Sequence, residues 1–345
     1  MPPILILDGG LGTTLQLAPH NITFTPETPL WSSHLLLSSP STLNAVHRAF
    51  VSSGADILLT ATYQTSFEGF TRTDEKLTHA DAGRYMRSAV SLARVAFGSD
   101  RPARVALSLG PYGATMVPVS AEYSGLYPAG MNGEGPLREW HTARLGVFAE
   151  DKATWEGLEY IAFETVKRAD EVRAIRGTMQ EVLSIASRKP WWICGVFPDE
   201  EVKEEDIREW VQAAVGGDVS PRPWGIGVNC SKISNLGRIV DIMQDEVTRL
   251  SAAGQFVDEW SATSGRPWLV LYPDGTRGER YDPVSKEWVK TGDDTQTKPW
   301  EHVFCDVVKD IKEGEWEGVI MGGCCRTGPK EIAALKQQVE ESITV

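Results

Sequence analysis

Short apolar runs alternate with longer amphipathic stretches along this chain. Eight runs are apolar almost throughout: residues 4–7, 57–63, 105–109, 160–163, 191–197, 225–229, 268–272 and 318–321. Continuous rather than alternating hydrophobicity marks parallel strands covered on both faces. Between them, residues 41–53, 74–97, 136–157, 169–186, 203–215, 235–250, 300–312 and 329–341 carry helical spacing. In the second of these, apolar residues recur at 77, 85, 89, 92, 93 and 96. Strict alternation of eight such pairs predicts an α/β fold, a (β/α)8 barrel with residues 1–345 as one domain. A doubly wound sheet uses the same units, but Gly9-Gly10-Leu11-Gly12 lacks the G-x-G-x-x-G spacing of a dinucleotide site.

Three connections are long, at 17–40, 115–135 and 274–299, and each follows a predicted strand. In a barrel they share one rim, the face on which active sites are built. Polar and reactive residues gather at the ends of the same strands: Asp8, residues 60–64, Gly110, Tyr112, Glu164, Asn229, Cys230, Tyr272, Cys324 and Cys325. Turns begin there, so any single residue of the set is expected to be polar. The coincidence of so many on one face points to a site.

Composition narrows the class. With 34 Lys+Arg against 47 Asp+Glu the net charge is −13, which argues against a nucleic-acid partner bound through phosphates. No apolar run reaches the ~20 residues of a membrane span. The opening MPPILILDGG lacks the basic region of a secretory signal. Five cysteines are odd in number and too sparse for a disulfide scaffold, so a reducing, cytoplasmic setting is expected. The acidic stretch 199–206 reads as a solvated helix start.

The cysteines divide by context. Cys194 lies within WWICGVF and Cys305 within HVFCDVV, so both read as small buried hydrophobes. Cys230, Cys324 and Cys325 instead follow strand ends, where three thiolates from neighbouring strands could meet above the barrel. Spacing alone is weak support, since 94 residues separate Cys230 from Cys324 and no CxxC pair exists. A zinc site of three cysteines with an open fourth position carries net negative charge and is a poor Lewis acid toward carbonyls. It suits binding a substrate thiol and holding it as a thiolate, which fits alkyl transfer to sulfur. The six His form no HExxH pattern, which argues against a metallohydrolase.

Several motifs together resemble the homocysteine S-methyltransferase family. They are Asp8-Gly9-Gly10-Leu11-Gly12-Thr13, Thr60-Ala61-Thr62-Tyr63-Gln64, Gly110-Pro111-Tyr112-Gly113-Ala114, Phe163-Glu164-Thr165, Gly227-Val228-Asn229-Cys230 and the GGCCRTGP run from Gly322 to Pro329. They follow family order over nearly the whole chain, and GVNC with GGCCRTGP is the most specific part. The resemblance implies a (β/α)8 barrel with one zinc ion on Cys230, Cys324 and Cys325. It implies that Asp8 and Glu164 receive the ammonium of homocysteine, and that Gly9 and Thr60 offer backbone N–H groups to its carboxylate. Tyr63, Gln64 and Asn229 fall in the matching motifs and are expected at the substrate site.

The donor-side motifs resemble the branch that uses sulfonium donors, S-methylmethionine or S-adenosylmethionine. They are Glu122-Tyr123-Ser124-Gly125-Leu126-Tyr127, Leu271-Tyr272-Pro273-Asp274, Tyr281-Asp282 and Lys286-Glu287-Trp288. Asp274 stands where that branch often has Asn, and Glu331 where many members have His. Tyr63, Tyr112, Tyr123 and Tyr127 are candidates to face a cationic donor, with Trp31 expected to anchor its loop. The chain is too short for the extra domains of a cobalamin-dependent synthase, and its tyrosine pattern after the second strand differs from the betaine-dependent branch. Alternatives are a selenocysteine methyltransferase, a non-catalytic zinc barrel and a redox switch at the paired cysteines. No dimerisation arm is evident after residue 341, which favours a monomer.

Overall fold

A computed structural model describes residues 2–25, 28–99, 101–199, 201–217, 221–255, 265–282, 287–290, 297–312 and 314–343. The chain runs through β1 (Ile4–Ile6), α1 (Leu11–Gln16), α2 (Leu35–Ser38), α3 (Pro40–Ser52), β2 (Leu58–Leu59), α4 (Phe67–Thr73), α5 (His79–Ala96) and β3 (Val105–Leu109). It continues through α6 (Glu134–Ala149), α7 (Lys152–Glu156), β4 (Tyr160–Phe163), α8 (Ala169–Val182), β5 (Trp191–Gly195), α9 (Glu204–Val215), β6 (Gly225–Asn229) and α10 (Ile233–Ala252). The last part holds β7 (Trp268–Tyr272), β8 (Glu279–Asp282), β9 (Glu287–Lys290), α11 (Trp300–Lys309), β10 (Val319–Met321) and α12 (Pro329–Ser342).

Eight strands pair side by side in the order β1-β10-β7-β6-β5-β4-β3-β2. A parallel bridge between Leu7 and Ile57 joins the two end strands. There the Ile57 N–H donates to the Ile6 carbonyl at 3.0 Å and the Asp8 N–H to the Ile57 carbonyl at 3.1 Å. The sheet thus closes on itself, and the expected (β/α)8 barrel is what forms.

Side-chain direction alternates along each strand, which sorts the apolar residues into two cores. Ile6, Leu107, Phe163, Trp191, Leu271 and Met321 face outward into the helical layer. Leu7, Ala106, Ala162, Trp192, Cys194, Val270, Tyr272 and Ile320 face the lumen. The same alternation turns Ser108 and Glu164, one step further along β3 and β4, toward the mouth of that lumen. Cys194 and Cys305 are both fully buried, as their apolar contexts require.

Boundaries differ from the expectation where caps intervene. The expected helix at 74–97 starts only at His79, because Thr78 and Asp81 form a reciprocal capping box. A separate α4 precedes it, capped where Ser66 Oγ accepts the Gly69 N–H at 3.0 Å. The expected helix at 136–157 divides before Asp151, which accepts the Thr154 N–H at 2.8 Å and starts α7. The second strand, expected to reach Tyr63, pairs only over Leu58–Leu59. Beyond it the Thr60 and Thr62 hydroxyls take over the contacts to Ser108. The β8–β9 hairpin was not expected at all within 274–299, where residues 283–286 and 291–296 lie outside the described ones. No helix among the described residues is long and apolar enough to cross a membrane.

Trp192 fills the lumen with no exposed surface, its ring 5.7 Å from that of Tyr160. Trp192→Ala should therefore lower stability by about 3–5 kcal/mol in urea denaturation. A loss below about 1 kcal/mol would show that the lumen collapses around the gap.

Candidate functional site

The turn after β1 and the turn after β10 touch through backbone. Gly323 N–H donates to the Asp8 carbonyl at 3.0 Å, and Gly10 N–H to the Thr327 carbonyl at 2.8 Å. Arg326 N–H reaches Thr13 Oγ1 at 3.0 Å. A Cβ on Gly9 would strike the Thr327 carbonyl, and one on Gly10 the Cys324 carbonyl. Glycine is required at both positions by this approach, which sets Asp8 beside the cysteine pair.

Cys230 is delivered by the end of β6, which β7 separates from β10. Asn229 Oδ1 accepts the Thr165 N–H at 2.7 Å, while its Nδ2 donates to Thr165 Oγ1 at 2.8 Å and to Cys230 Sγ at 3.4 Å. Thr165 and Cys230 both hold left-handed backbone, with φ of 60° and 47°. Such conformations cost energy in non-glycine residues and persist only where surroundings enforce them. The sulfurs of Cys230, Cys324 and Cys325 lie within 4.8 Å of one another, close enough to share a metal ion. Cys230 and Cys324 are joined as a disulfide here, with Cα atoms 5.4 Å apart, and Cys325 is free. The expected gathering of the three sulfurs is what forms, and the proximity that suits a shared metal also brings Cys230 and Cys324 into direct contact. Burial, with Asp274 and Glu122 nearby, pushes the Cys325 thiol up to about 12. Ionising it calls for a cation at the cluster.

The cysteines open onto a cavity of about 1260 Å³, part of it open to solvent. Asp8, Glu122 and Glu164 line it, and among the described residues of its wall there is no Lys, Arg or His. Asp8 Oδ2 accepts the Leu59 N–H at 2.9 Å, but its buried Oδ1 has no hydrogen-bond partner among the described residues. Burial, then the nearby Glu164 charge, raises the Asp8 carboxyl well above the usual range. Ser108 Oγ donates to Glu164, yet burial still pushes Glu164 up to about 7. An unmet acceptor between two reluctant anions is a socket for a cationic donor group.

Raised carboxyl values have a sign for stability. Glu164 favours the folded state fully below its ordinary 4.5, and this contribution is lost as pH rises through about 7. Glu164→Gln removes that loss. In ligand-free protein, the Tm of the variant minus that of the native chain should grow more positive from pH 5 to pH 8. A flat difference would place the native Glu164 carboxyl in its ordinary range.

The other expected residues separate into those that meet the cavity and those that do not. Gly9, Thr60, Tyr63, Gln64, Asn229 and Trp31 line it. The Thr60 N–H, however, is already given to the Ala106 carbonyl at 3.0 Å. Tyr123 lines the cavity, but Tyr112 and Tyr127 do not. The Tyr127 hydroxyl and the Tyr112 N–H both donate to Glu171, at 2.6 and 2.7 Å, which draws them to the helical layer. Trp31 packs on Phe24 with ring centres 5.7 Å apart, so it both anchors its loop and faces the cavity. Asp274 is tied to Thr276, its Oδ1 accepting the Thr276 hydroxyl at 2.8 Å, and Glu331 Oε2 accepts the Gly328 N–H at 2.8 Å as a helix cap.

Tyr281 and Trp288 of the donor-side motifs line the cavity, and so does Ser108, which the sequence reading did not single out. Ser108 was detectable as the one polar residue in VALSL. Of the donor-side motif at 286–288, Lys286 lies outside the described residues, while the Trp288 ring carries the Arg326 guanidinium at 4.7 Å. Arg326 also pairs with Glu279 at 3.1 Å, fastening the hairpin beside the cysteines. Arg144, missed from sequence, donates to the carbonyls of Gly110, Thr62 and Tyr63 at 2.7, 2.8 and 2.6 Å.

Known proteins resemble this chain in sequence and fold. Homocysteine S-methyltransferase 4 of Zea mays is 30% identical, over 98% of this chain and 90% of its own length. Selenocysteine Se-methyltransferase of Brassica oleracea var. italica is 29% identical, over 97% and 88%. The metallated form of the homocysteine methyltransferase MmuM from Escherichia coli superposes with a TM-score of 0.66, covering 97% of this chain and 96% of that one at 23% identity, a likeness of fold. The homocysteine S-methyltransferase family model matches residues 5–339, and the chain belongs to that family of methyltransferases.

Proposed function

We propose that this protein, acting as one homocysteine-binding barrel, transfers a methyl group from a sulfonium donor to the thiolate of homocysteine, giving methionine. The donor is S-methylmethionine or S-adenosylmethionine, and one zinc ion is held by Cys230, Cys324 and Cys325. The observation that carries the reading is a cavity that sets three sulfurs beside buried carboxylates, with no Lys, Arg or His among the described residues of its wall. Cys230, Cys324 and Cys325, whose sulfurs lie within 4.8 Å of one another, would hold that ion as thiolates when reduced. Bound zinc lowers the pKa of the substrate thiol and keeps it as a thiolate.

The chain's own residues do the rest. The unmet Asp8 Oδ1 and Glu164 receive the homocysteine ammonium, and the Gly9 turn receives its carboxylate. The Thr60 amide is committed to the sheet, so that residue shapes the wall instead. Asn229 steadies Cys230 through its contact to Sγ. Tyr63 and Gln64 border the acceptor, their loop held by Arg144. As the new sulfur–carbon bond forms, the donor's methyl–sulfur bond breaks and its electron pair returns to the donor sulfur. A neutral thioether leaves, so the reaction needs no general acid. Rate then rests on alignment and exclusion of water by the loops above the barrel.

A reduced preparation loaded with zinc should hold about one ion per chain. Cys324→Ser and Cys325→Ser should lower both bound zinc and methionine formation by about 100-fold or more. Methyl transfer at the native rate in either variant without bound zinc would sink the metal's role. In a donor panel, S-methylmethionine or S-adenosylmethionine should yield methionine from homocysteine while betaine does not. Product from betaine alone would overturn the donor assignment, and faster turnover of selenocysteine than homocysteine would reassign the acceptor.

A further inference from the structure

Glu122 is the acid that this reading leaves without a role. It sits in the loop between β3 and α6, is only 5% exposed, and lines the cavity. Its own backbone N–H and the Ser120 hydroxyl steady the carboxylate. Its Oε2 is nevertheless buried with no hydrogen-bond partner among the described residues. A carboxylate in that state is costly as an anion unless a cation joins it.

The surroundings say where that cation would sit. Glu122's charge is felt by Tyr63, Tyr123, Tyr281 and the Cys325 thiol. The charged neighbour of Asp8 is Glu164 instead. The cavity-lining acids therefore make one pole at Asp8 and Glu164 and another at Glu122, with Tyr63 feeling both and Asp274 reinforcing Glu122 on the Cys325 side. The ammonium of homocysteine is served by the Asp8–Glu164 pole; the donor brings an ammonium as well as a sulfonium, and only an isostere that keeps the ammonium and lacks the sulfonium separates the two. Burial brings the Glu122 carboxyl to about 7, so a neighbouring positive charge would restore its anionic form.

We propose that Glu122 is the counter-charge for the sulfonium centre of the methyl donor, held against the faces of Tyr63, Tyr123 and Tyr281. This rests on the sulfonium-donor reading above and deepens it. Sulfonium offers no hydrogen, so it is recognised by charge and by aromatic faces, and this pole supplies both. The assignment makes Glu122 a determinant of donor specificity, favouring a charged methyl donor over a neutral molecule of equal shape.

The test uses reduced, zinc-loaded, full-length protein without homocysteine. Calorimetry compares S-methylmethionine with its uncharged carbon isostere, 2-amino-5-methylhexanoate. The native chain should bind the sulfonium tighter by about tenfold or more. Glu122→Gln should abolish that preference while leaving the KM for homocysteine and the zinc content unchanged. Glu122→Asp keeps the charge and should retain the preference. An undiminished preference in Glu122→Gln, or its loss in Glu122→Asp alone, overturns the assignment while the function stands. Absence of methionine from any sulfonium donor with the native protein overturns the function itself, and this assignment with it.

Discussion

Backbone meeting backbone at the barrel seam is the constraint from which the site follows. The Asp8-Gly9-Gly10 turn can lie against Gly323–Thr327 only because two of its residues lack a Cβ. That contact extends the β1–β10 pairing past the strand ends and brings the first turn of the chain against the last. Without it, Asp8 would have no reason to face the cysteines, and the cavity would lack one wall. Because the contact is backbone to backbone, its register is fixed to within a hydrogen-bond length.

A second layer of polar contacts holds the loops from behind. Arg144 spans from α6 to three carbonyls in two loops, buried and pulled down to about 9 yet still a cation. Glu171 on α8 gathers the Tyr127 hydroxyl, the Tyr112 N–H and His141, the last at 3.0 Å. These groups ask for partners that only correctly placed loops supply, so the helical layer dictates loop shape as well as covering the sheet. Trp140 and Tyr112 fill the space between them, ring centres 5.4 Å apart.

The fold was legible because parallel strands buried on both faces leave unbroken apolar runs, and because eight of them alternated with helices. Cys230, Cys324, Cys325, Asp8 and Glu164 were legible because strand ends in such a barrel share one rim. Tyr127 and Tyr112 fall outside the cavity wall for physical reasons remote in sequence: the Tyr127 hydroxyl goes to the buried acceptor Glu171, while the Tyr112 ring packs on Trp140 and its N–H meets Glu171. The hairpin at 279–290 was hidden because a short, half-exposed ribbon leaves little apolar pattern. Ser108 shows the opposite case, one hydroxyl interrupting a buried strand. The closeness of Cys230 and Cys324 across 94 residues follows from that shared rim, though spacing alone does not reveal it.

The acid-only wall of the cavity also has a direction in time. In the proposed reaction a donor that arrives as a cation would leave as a neutral thioether, so the charge that matched the wall would disappear in the chemical step itself. What remains is a set of buried carboxylates facing a spent molecule that no longer offsets them. The wall thus greets the reactant and is indifferent to what the reactant becomes, a built-in ratchet that favours turnover over retention.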